Sequence, residues 1–457
     1  MKMHTAESSN IKQQKEAPMT LIVGLGATGL SCVRFLAGRD IRLAVIDSRD
    51  QPPGLQQLRD EYPHVALFTG AFDADVFAAA ERLVVSPGVS LKEPLIQQAI
   101  SRGIEVIGDV ELFLREVSVP VVAITGSNGK STVTTLLGEM AKTAGVRAGV
   151  GGNLGTPVLQ LLDEENALYI LELSSFQLET IHSLRAKAAV ILNLSADHLD
   201  RYDSYEEYVQ AKAIIYHNAE TAVVNLDDPA AMQLADNARS VSFSTHSPQP
   251  DQYGICDVEG EQWLCRGEQL LLQTSAIPAA GKHNQANALA ALALGEVVGL
   301  PMDAMLQAIR DFRGLAHRTW FVAEIDHVRW YNDSKGTNVG ASIAALQGLD
   351  MADASRSILI AGGDCKGADF SPLAALLPAY VRALVLLGRD APQIARAVGG
   401  AVPGVNAADM NDAVRLAADL ARPGDRVLLS PACASFDMYE NYMQRGEAFM
   451  QAVGRLG

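Results

Sequence analysis

From residue 19 onward, short runs of consecutive apolar residues alternate with stretches whose apolar positions recur at helical spacing. The runs fit strands buried on both faces, and the spaced pattern fits helices with one buried face. "TLIVGLGATGLSCVRFLAG" reads as a strand, a glycine turn and a helix, and "IRLAVIDSRD" supplies the next strand. "RLVVSPGVS" and "EVIGDVELFL" close a first unit near residue 108. A second unit opens with "VPVVAITGSNGKSTVTTLLGEMAKTAG" and continues through the strands "ALYILELSS" and "KAAVILNLS". It then crosses a polar, turn-rich stretch, 225–278, and ends in alanine-rich helices over 284–312. A third unit follows "LAHRTWFVAEIDHVRWYNDSKGTN" and holds the buried runs "SILIAGG", "ALVLLG" and "RVLLSP". This alternation predicts an α/β protein with parallel sheets. The expected units are 19–108, 109–313 and 314–457, behind a polar, disordered leader over 1–18.

Composition narrows the class. A chain of 457 residues exceeds one ordinary core. The formal net charge of −16 argues against nucleic acid or an anionic membrane as the main partner. Cys32, Cys256, Cys265, Cys365 and Cys433 show no C-x-x-C spacing, so free thiols in a reducing cytosol are expected and a zinc site is not. The leader lacks an apolar signal core, and no apolar run has the length of a membrane span. A cytoplasmic protein is expected.

The chemistry begins in "TGSNGKST". A loop of small residues between a strand and a helix turns backbone N–H groups inward to cradle phosphate oxygens. The usual loop separates its first glycine from Gly-Lys by four residues, whereas only Ser127 and Asn128 separate Gly126 from Gly129. A helix over 130–144 would add the positive end of its dipole. Lys130 can reach the terminal phosphates, and the Ser131 hydroxyl can ligand Mg2+. Glu172 ends the neighbouring buried strand, where P-loop enzymes place a magnesium ligand. Asp197, His198 and Asp200 share the loop "SADHLDRY". His198 fits a turn histidine, a ligand of a second cation or a phosphate-orienting group. In "SYEEYVQAKAIIYHNA" a capping box from Ser204 to Glu207 starts a helix, and Lys212 falls on its apolar stripe. The pattern favours a lysine snorkelling to water. The alternative is a buried amine of lowered pKa that takes up CO2 as a carbamate able to bridge magnesium ions.

In the first unit, Gly24, Gly26 and Gly29 with Asp47 fit the dinucleotide fingerprint. A NAD-dependent oxidoreductase is therefore the rival reading, and a UDP-linked ligand the other. In the third unit, "GGDCKGADF", "GRD" and "SPACASFD" each follow an expected strand and so lie on the carboxyl rim of the sheet. Lys366 offers a cation there. Ser435 is expected at the start of the last amphipathic helix, suited to receive a carboxylate. With Arg318, Asp333, Lys335 and Thr337, these loops point to an anionic substrate closed over by this unit.

Taken together, the motifs resemble the Mur ligases of peptidoglycan synthesis, over the chain from about residue 21 to the last helix. "TGSNGKST" is that family's short phosphate loop. "GGNLGTP", "LELSSFQLE", "DHLDRY", "GKHNQANALAA", "HR", "NDSKGTN", "GGDCKG" and "SPACASFD" follow in family order. The first unit, "NDSKGTN" and "SPACASFDMYENY" point to the branch that adds D-glutamate. The resemblance implies a Rossmann-like N-terminal domain, a central P-loop ATPase-type domain and a Rossmann-like C-terminal domain, acting as a monomer.

It also implies an ATP-dependent ligation. The L-alanyl carboxylate of UDP-N-acetylmuramoyl-L-alanine would be phosphorylated, and D-glutamate would attack the acyl phosphate through a tetrahedral intermediate. By resemblance, Gly126, Ser127, Asn128, Gly129, Lys130, Ser131 and Thr132 would hold the ATP phosphates. Two Mg2+ sites follow, one at Ser131 and Glu172 and one at His198 and the carbamate of Lys212, so the family likeness reverses the snorkelling reading. Asn284 and Asn287 would face adenine, Arg318 the γ-phosphate and Asp333 the ribose. Ala27, Thr28, Asp47, Ser48, Arg49 and Gly88 would bind the UDP-sugar, with Asn153 and His198 near its reacting end. Thr337, Lys366, Ser435 and Tyr442 would bind D-glutamate, with Lys335 close by. Tyr442 stands where relatives often carry phenylalanine, and Gly336 where alanine is common.

Overall fold

The computed structural model describes residues 19–39, 41–195, 201–235, 239–278, 281–349 and 355–456. The proposed leader and the loop carrying Asp197, His198 and Asp200 lie outside the described residues. Three sheets organise the rest. The first has five parallel strands, in the order Ala66–Thr69, Arg42–Asp47, Met19–Val23, Arg82–Val85, Glu105–Ile107. Its order reverses beside Met19–Val23, so the turns after the two central strands face one crevice.

The second sheet has nine strands. Val121–Thr125 lies between Ala188–Ile191 and Leu168–Glu172, with Ala148–Gly152 at the edge. All five residues of Val121–Thr125 are buried, as a parallel strand covered on both faces requires. On the other side the sheet extends through Thr221–Asn225 and Arg239–Phe243. It then enters an antiparallel meander, Tyr253–Val258, Glu261–Arg266 and Gln269–Gln273. The turn-rich stretch is thus built of strands, whose polar outer residues hid their alternation. Cys256 and Cys265, expected to be free, are paired there as a disulfide with Cα atoms 6.2 Å apart. The meander sets them diagonally opposite, which their spacing in the chain does not reveal.

The third sheet has six strands, parallel except for the edge pair Trp320–Ile325 and Val328–Asn332. It buries apolar residues on both faces from within 328–453. The first two sheets are less independent. One core cluster joins Ile22, Val33 and Phe113 to Leu159, Tyr169 and Ile181. The Phe113 and Tyr169 rings meet edge to face at 4.9 Å. Across the same interface, Glu111 accepts hydrogen bonds from the backbone N–H groups of His182 and Ser183.

Candidate active site

The phosphate loop leaves Val121–Thr125 and enters the helix Lys130–Thr143. Both of its glycines are sterically required. Gly126 has φ +148° and Gly129 φ +83°, and a Cβ on Gly129 would stand 2.5 Å from Asn287 Oδ1. The loop is held from outside. Ser127 N–H donates to Asn193 O, Asn128 N–H donates to Asn193 Oδ1 at 2.8 Å, and the Ser127 and Tyr208 hydroxyls are 2.8 Å apart. Lys130 folds back over it, donating from Nζ to the carbonyls of Gly126 and Ser127 at 2.7 and 2.9 Å.

Glu172 closes the adjacent strand and is 2% exposed. Its Oε1 accepts from Asn153 Nδ2 at 2.7 Å, while its buried Oε2 has no hydrogen-bond partner. A buried carboxylate oxygen left unmatched is costly unless a donor or cation completes it. Among the described residues no three His, Cys, Asp or Glu side chains gather. A cation here would therefore use Glu172, the Ser131 hydroxyl and phosphate oxygens, a donor set suited to Mg2+.

Lys212 does not snorkel. It is 2% exposed, and its Nζ donates to Gly126 O at 3.0 Å and Thr125 Oγ1 at 3.3 Å, beneath the loop. The Tyr208 ring lies 4.8 Å from it. Its helix, Tyr205–Ala213, starts at Ser204 as expected, but only half of the capping box forms. Glu207 instead accepts from Asp203 N–H.

The third sheet reaches the loop through Arg318, whose Nη2 donates to Ser131 Oγ at 2.9 Å. Burial pulls the Arg318 pKa down, against the fields of Glu172 and Asp333. Asp333 is buried, accepts from Thr319 N–H and the Ser430 hydroxyl, and has its pKa raised by burial to about 6. Asn284 and Asn287 lie in the first turns of the helix Lys282–Val297, Asn287 against Gly129. Near them, burial lowers His283 to a pKa of about 4, and its Nδ1 has no hydrogen-bond partner.

In the first sheet, Ala27 and Thr28 open the helix Ala27–Ala37. Asp47 is buried, with Oδ2 accepting from Leu25 N–H and Arg49 Nη2 and Oδ1 from Arg49 N and Nε. Burial acts to raise its pKa, but the bonds from Arg49 and Leu25 outweigh it and hold the carboxyl below its usual range. A carboxylate so occupied is poorly free to take a ribose hydroxyl, which weakens the dinucleotide rival. Ser48 and Gly88 line one pocket with Phe72, Val89 and Lys92.

On the third sheet's rim, Lys366 is exposed, with its Nζ 5.7 Å from the Phe436 ring. Its loop meets that of Ser435 through paired backbone bonds between Asp364 and Ala434. Ser435 is buried, but it does not start the last helix. That helix is Tyr442–Val453, capped by Asn441, and the segment before it is a run of turns. Tyr442 packs under Lys335, whose Nζ is 4.1 Å from the ring centre. Thr337 stands two residues further along that loop, donating from its N–H to Lys335 O. Gly336 is tight rather than loose, since a Cβ there would stand 2.5 Å from Asp333 Oδ2.

Sequence reasoning missed Tyr208, Asn193 and Arg445. The first two act through hydrogen bonds between distant segments, which no local pattern signals. Arg445 carried a signal, because it interrupts the apolar stripe of Tyr442, Phe449 and Val453.

Comparison with known proteins agrees along the whole chain. Residues 18–108 match the family described as Mur ligase MurD-like, N-terminal domain. Residues 124–295 match the Mur ligase middle domain, and 317–433 the Mur ligase glutamate ligase domain. A Nitrosococcus oceani protein named UDP-N-acetylmuramoylalanine–D-glutamate ligase is 53% identical, covering 96% of this chain and 97% of that protein. Its namesake in Pseudomonas aeruginosa is 51% identical over 95% of this chain and 98% of its own. Among solved structures, the UDP-N-acetylmuramate-alanine ligase MurC from Thermotoga maritima superposes with a TM-score of 0.60 at 17% identity. That match covers 96% of this chain and 100% of the other, and it speaks for the fold.

Proposed function

The chain belongs to the Mur ligase family, and from that premise we propose how its residues divide the work of an ATP-dependent ligase. The reaction adds D-glutamate to UDP-N-acetylmuramoyl-L-alanine in peptidoglycan precursor synthesis. Residues 19–108 take the UDP-linked substrate, 109–313 take ATP, and 314–457 take D-glutamate and cover the nucleotide. The protein works in the cytoplasm as a monomer. Among the described residues no helix is long and apolar enough to cross a membrane.

The observation that carries this division is the meeting of the glycine loop, the unmatched Oε2 of Glu172 and Arg318 at one point. Phosphoryl transfer needs positioning and neutralised charge more than covalent help from the protein. The loop N–H groups and the helix Lys130–Thr143 receive the phosphates, with Ser127, Asn128 and Thr132 shaping the cradle. Lys130 and Arg318 exchange their present oxygen partners for phosphate oxygens. Ser131 and Glu172 hold one Mg2+, and His198 with a carbamate on Lys212 holds a second. These cations supply charge neutralisation at the transferring phosphate. A carbamate nitrogen retains one N–H, enough to keep the bond from Lys212 to Gly126 O.

Asn153, bound to Glu172, sets the reacting carboxylate of the UDP-linked substrate beside the phosphate site. Ala27, Thr28, Asp47, Ser48, Arg49 and Gly88 hold its nucleotide end. Asn284 and Asn287 flank the adenine of ATP, and Asp333 meets the ribose. Thr337, Lys366, Ser435 and Tyr442 receive D-glutamate, with Lys335 completing the positive rim.

Phosphate release should require ATP, Mg2+, the UDP-linked substrate and D-glutamate together, and stop when any one is omitted. Turnover with L-glutamate or diaminopimelate in place of D-glutamate would refute the amino-acid assignment.

A further inference from the structure

The last helix, Tyr442–Val453, docks on the third sheet through Phe449 and Val453, and the side chain between them and Tyr442 is Arg445. Arg445 is 2% exposed. Its guanidinium meets only neutral oxygens among the described residues. Nε donates to Ser334 Oγ at 3.0 Å, and Nη2 to Ser334 O at 2.8 Å. Nη1 donates to Cys433 O at 3.1 Å and Ala434 O at 3.2 Å.

These partners are not scattered. Ser334 directly precedes Lys335 in the loop that leads to Thr337, and Ala434 directly precedes Ser435. Ala434 also pairs with Asp364, two residues before Lys366. One guanidinium therefore joins two of the loops that carry the proposed D-glutamate contacts and reaches the third through Ala434. A planar fork suits this task because its donors have fixed directions.

The charge calls for an account as well. A buried cation whose contacts are all carbonyl and hydroxyl oxygens is poorly compensated. The carboxylates that favour its charged form, Asp437 and Asp333, make no hydrogen bond to it, and burial lowers its pKa to about 10. A hydrophobic side chain of similar volume would cost less here if stability alone were at stake. An amino acid with two carboxylates arriving at the adjoining loops would supply the missing negative charge.

We propose that Arg445 is a positioning residue for the amino-acid substrate, fixing the loops of Thr337, Lys366 and Ser435 and contributing a positive field at the D-glutamate carboxylates. The inference rests on the assignment of those loops to D-glutamate. Steady-state kinetics of the full chain test it with Arg445→Lys, Arg445→Met and Ser334→Ala.

Arg445→Lys keeps the charge but loses the fork, and should raise the KM for D-glutamate by about tenfold. The KM values for ATP and the UDP-linked substrate should stay within about twofold, and kcat should be largely kept. Arg445→Met, lacking both, should raise the D-glutamate KM by about a hundredfold. If that variant does not fold, Ser334→Ala still decides, with an expected rise of about threefold confined to D-glutamate. An equal shift for all three substrates, a fall in kcat alone, or no change would overturn the proposal. A wild-type chain without D-glutamate-dependent turnover would instead overturn the functional assignment itself.

Discussion

Asp333 shows how a single buried carboxyl couples the site to pH. Its pKa stands at about 6 in the fold against an ordinary 3.8, because burial disfavours the charged form. The folded chain thus holds a proton that the unfolded chain has released between those values. Stability drawn from that proton is complete below about pH 4 and is lost as pH rises through about 6. Asp333→Asn has no such proton. Melting curves from pH 4 to 7 should show the wild-type Tm falling relative to the variant across this window and levelling above it. A constant gap would mean that Asp333 is ionised throughout. Asp109, also buried and raised to about 6, acts with the same sign in both proteins and cancels from the comparison.

At the scale of elements, the loop between Val121–Thr125 and Lys130–Thr143 combines a backbone demand with a spatial one. Gly129→Ala adds a left-handed alanine, worth about 1–2 kcal/mol, and drives a methyl group into Asn287. The expected result is at least about a tenfold loss of ATP affinity by calorimetry, alongside lower stability. Gly145→Ala is the control. Its φ is +73°, but nothing lies near the added Cβ, so stability should drop while ATP affinity stays. Equal ATP affinity in both variants would show that the loop tolerates a side chain.

This loop was legible because strand, glycines, lysine and helix are contiguous. So were Glu172 at a strand end and the three α/β units, whose buried strands read as unbroken apolar runs. The burial of Lys212 was not legible, since a stripe position does not say whether a neighbouring loop caps it. Nor was the meander over Tyr253–Gln273, where one face is polar and short. Ser435 was misplaced because the turns before Tyr442 are compatible with helix in their apolar content alone. The pairing of Asp47 with Arg49, two residues away, was not legible either, because the fingerprint marks the acid and not its partner.

For the whole molecule, the distribution of buried clusters divides the chain into two cooperative bodies rather than three. The first and second sheets share one cluster, whereas the third has its own on each face. Urea unfolding should therefore proceed in two steps. Of the tryptophans, Trp320 and Trp330 lie in the third sheet and Trp263 in the meander. In a Trp263→Phe variant, fluorescence should report the third body in one transition while far-ultraviolet circular dichroism reports both. Three separate steps, or one coincident transition for the two signals, would contradict this division.

The shared cluster also bears on how the chain is made. The first sheet can cover one face with its own residues, Met19 to Ala99, as soon as they emerge from the ribosome. Its other face combines the unit's own residues, among them Val33 and Leu36 of Ala27–Ala37, with partners in residues 121–231. Until synthesis has passed that point, Phe113 lacks its Tyr169 partner and the cluster is only partly covered, so the nascent chain carries an apolar surface that shields itself fully only late in translation.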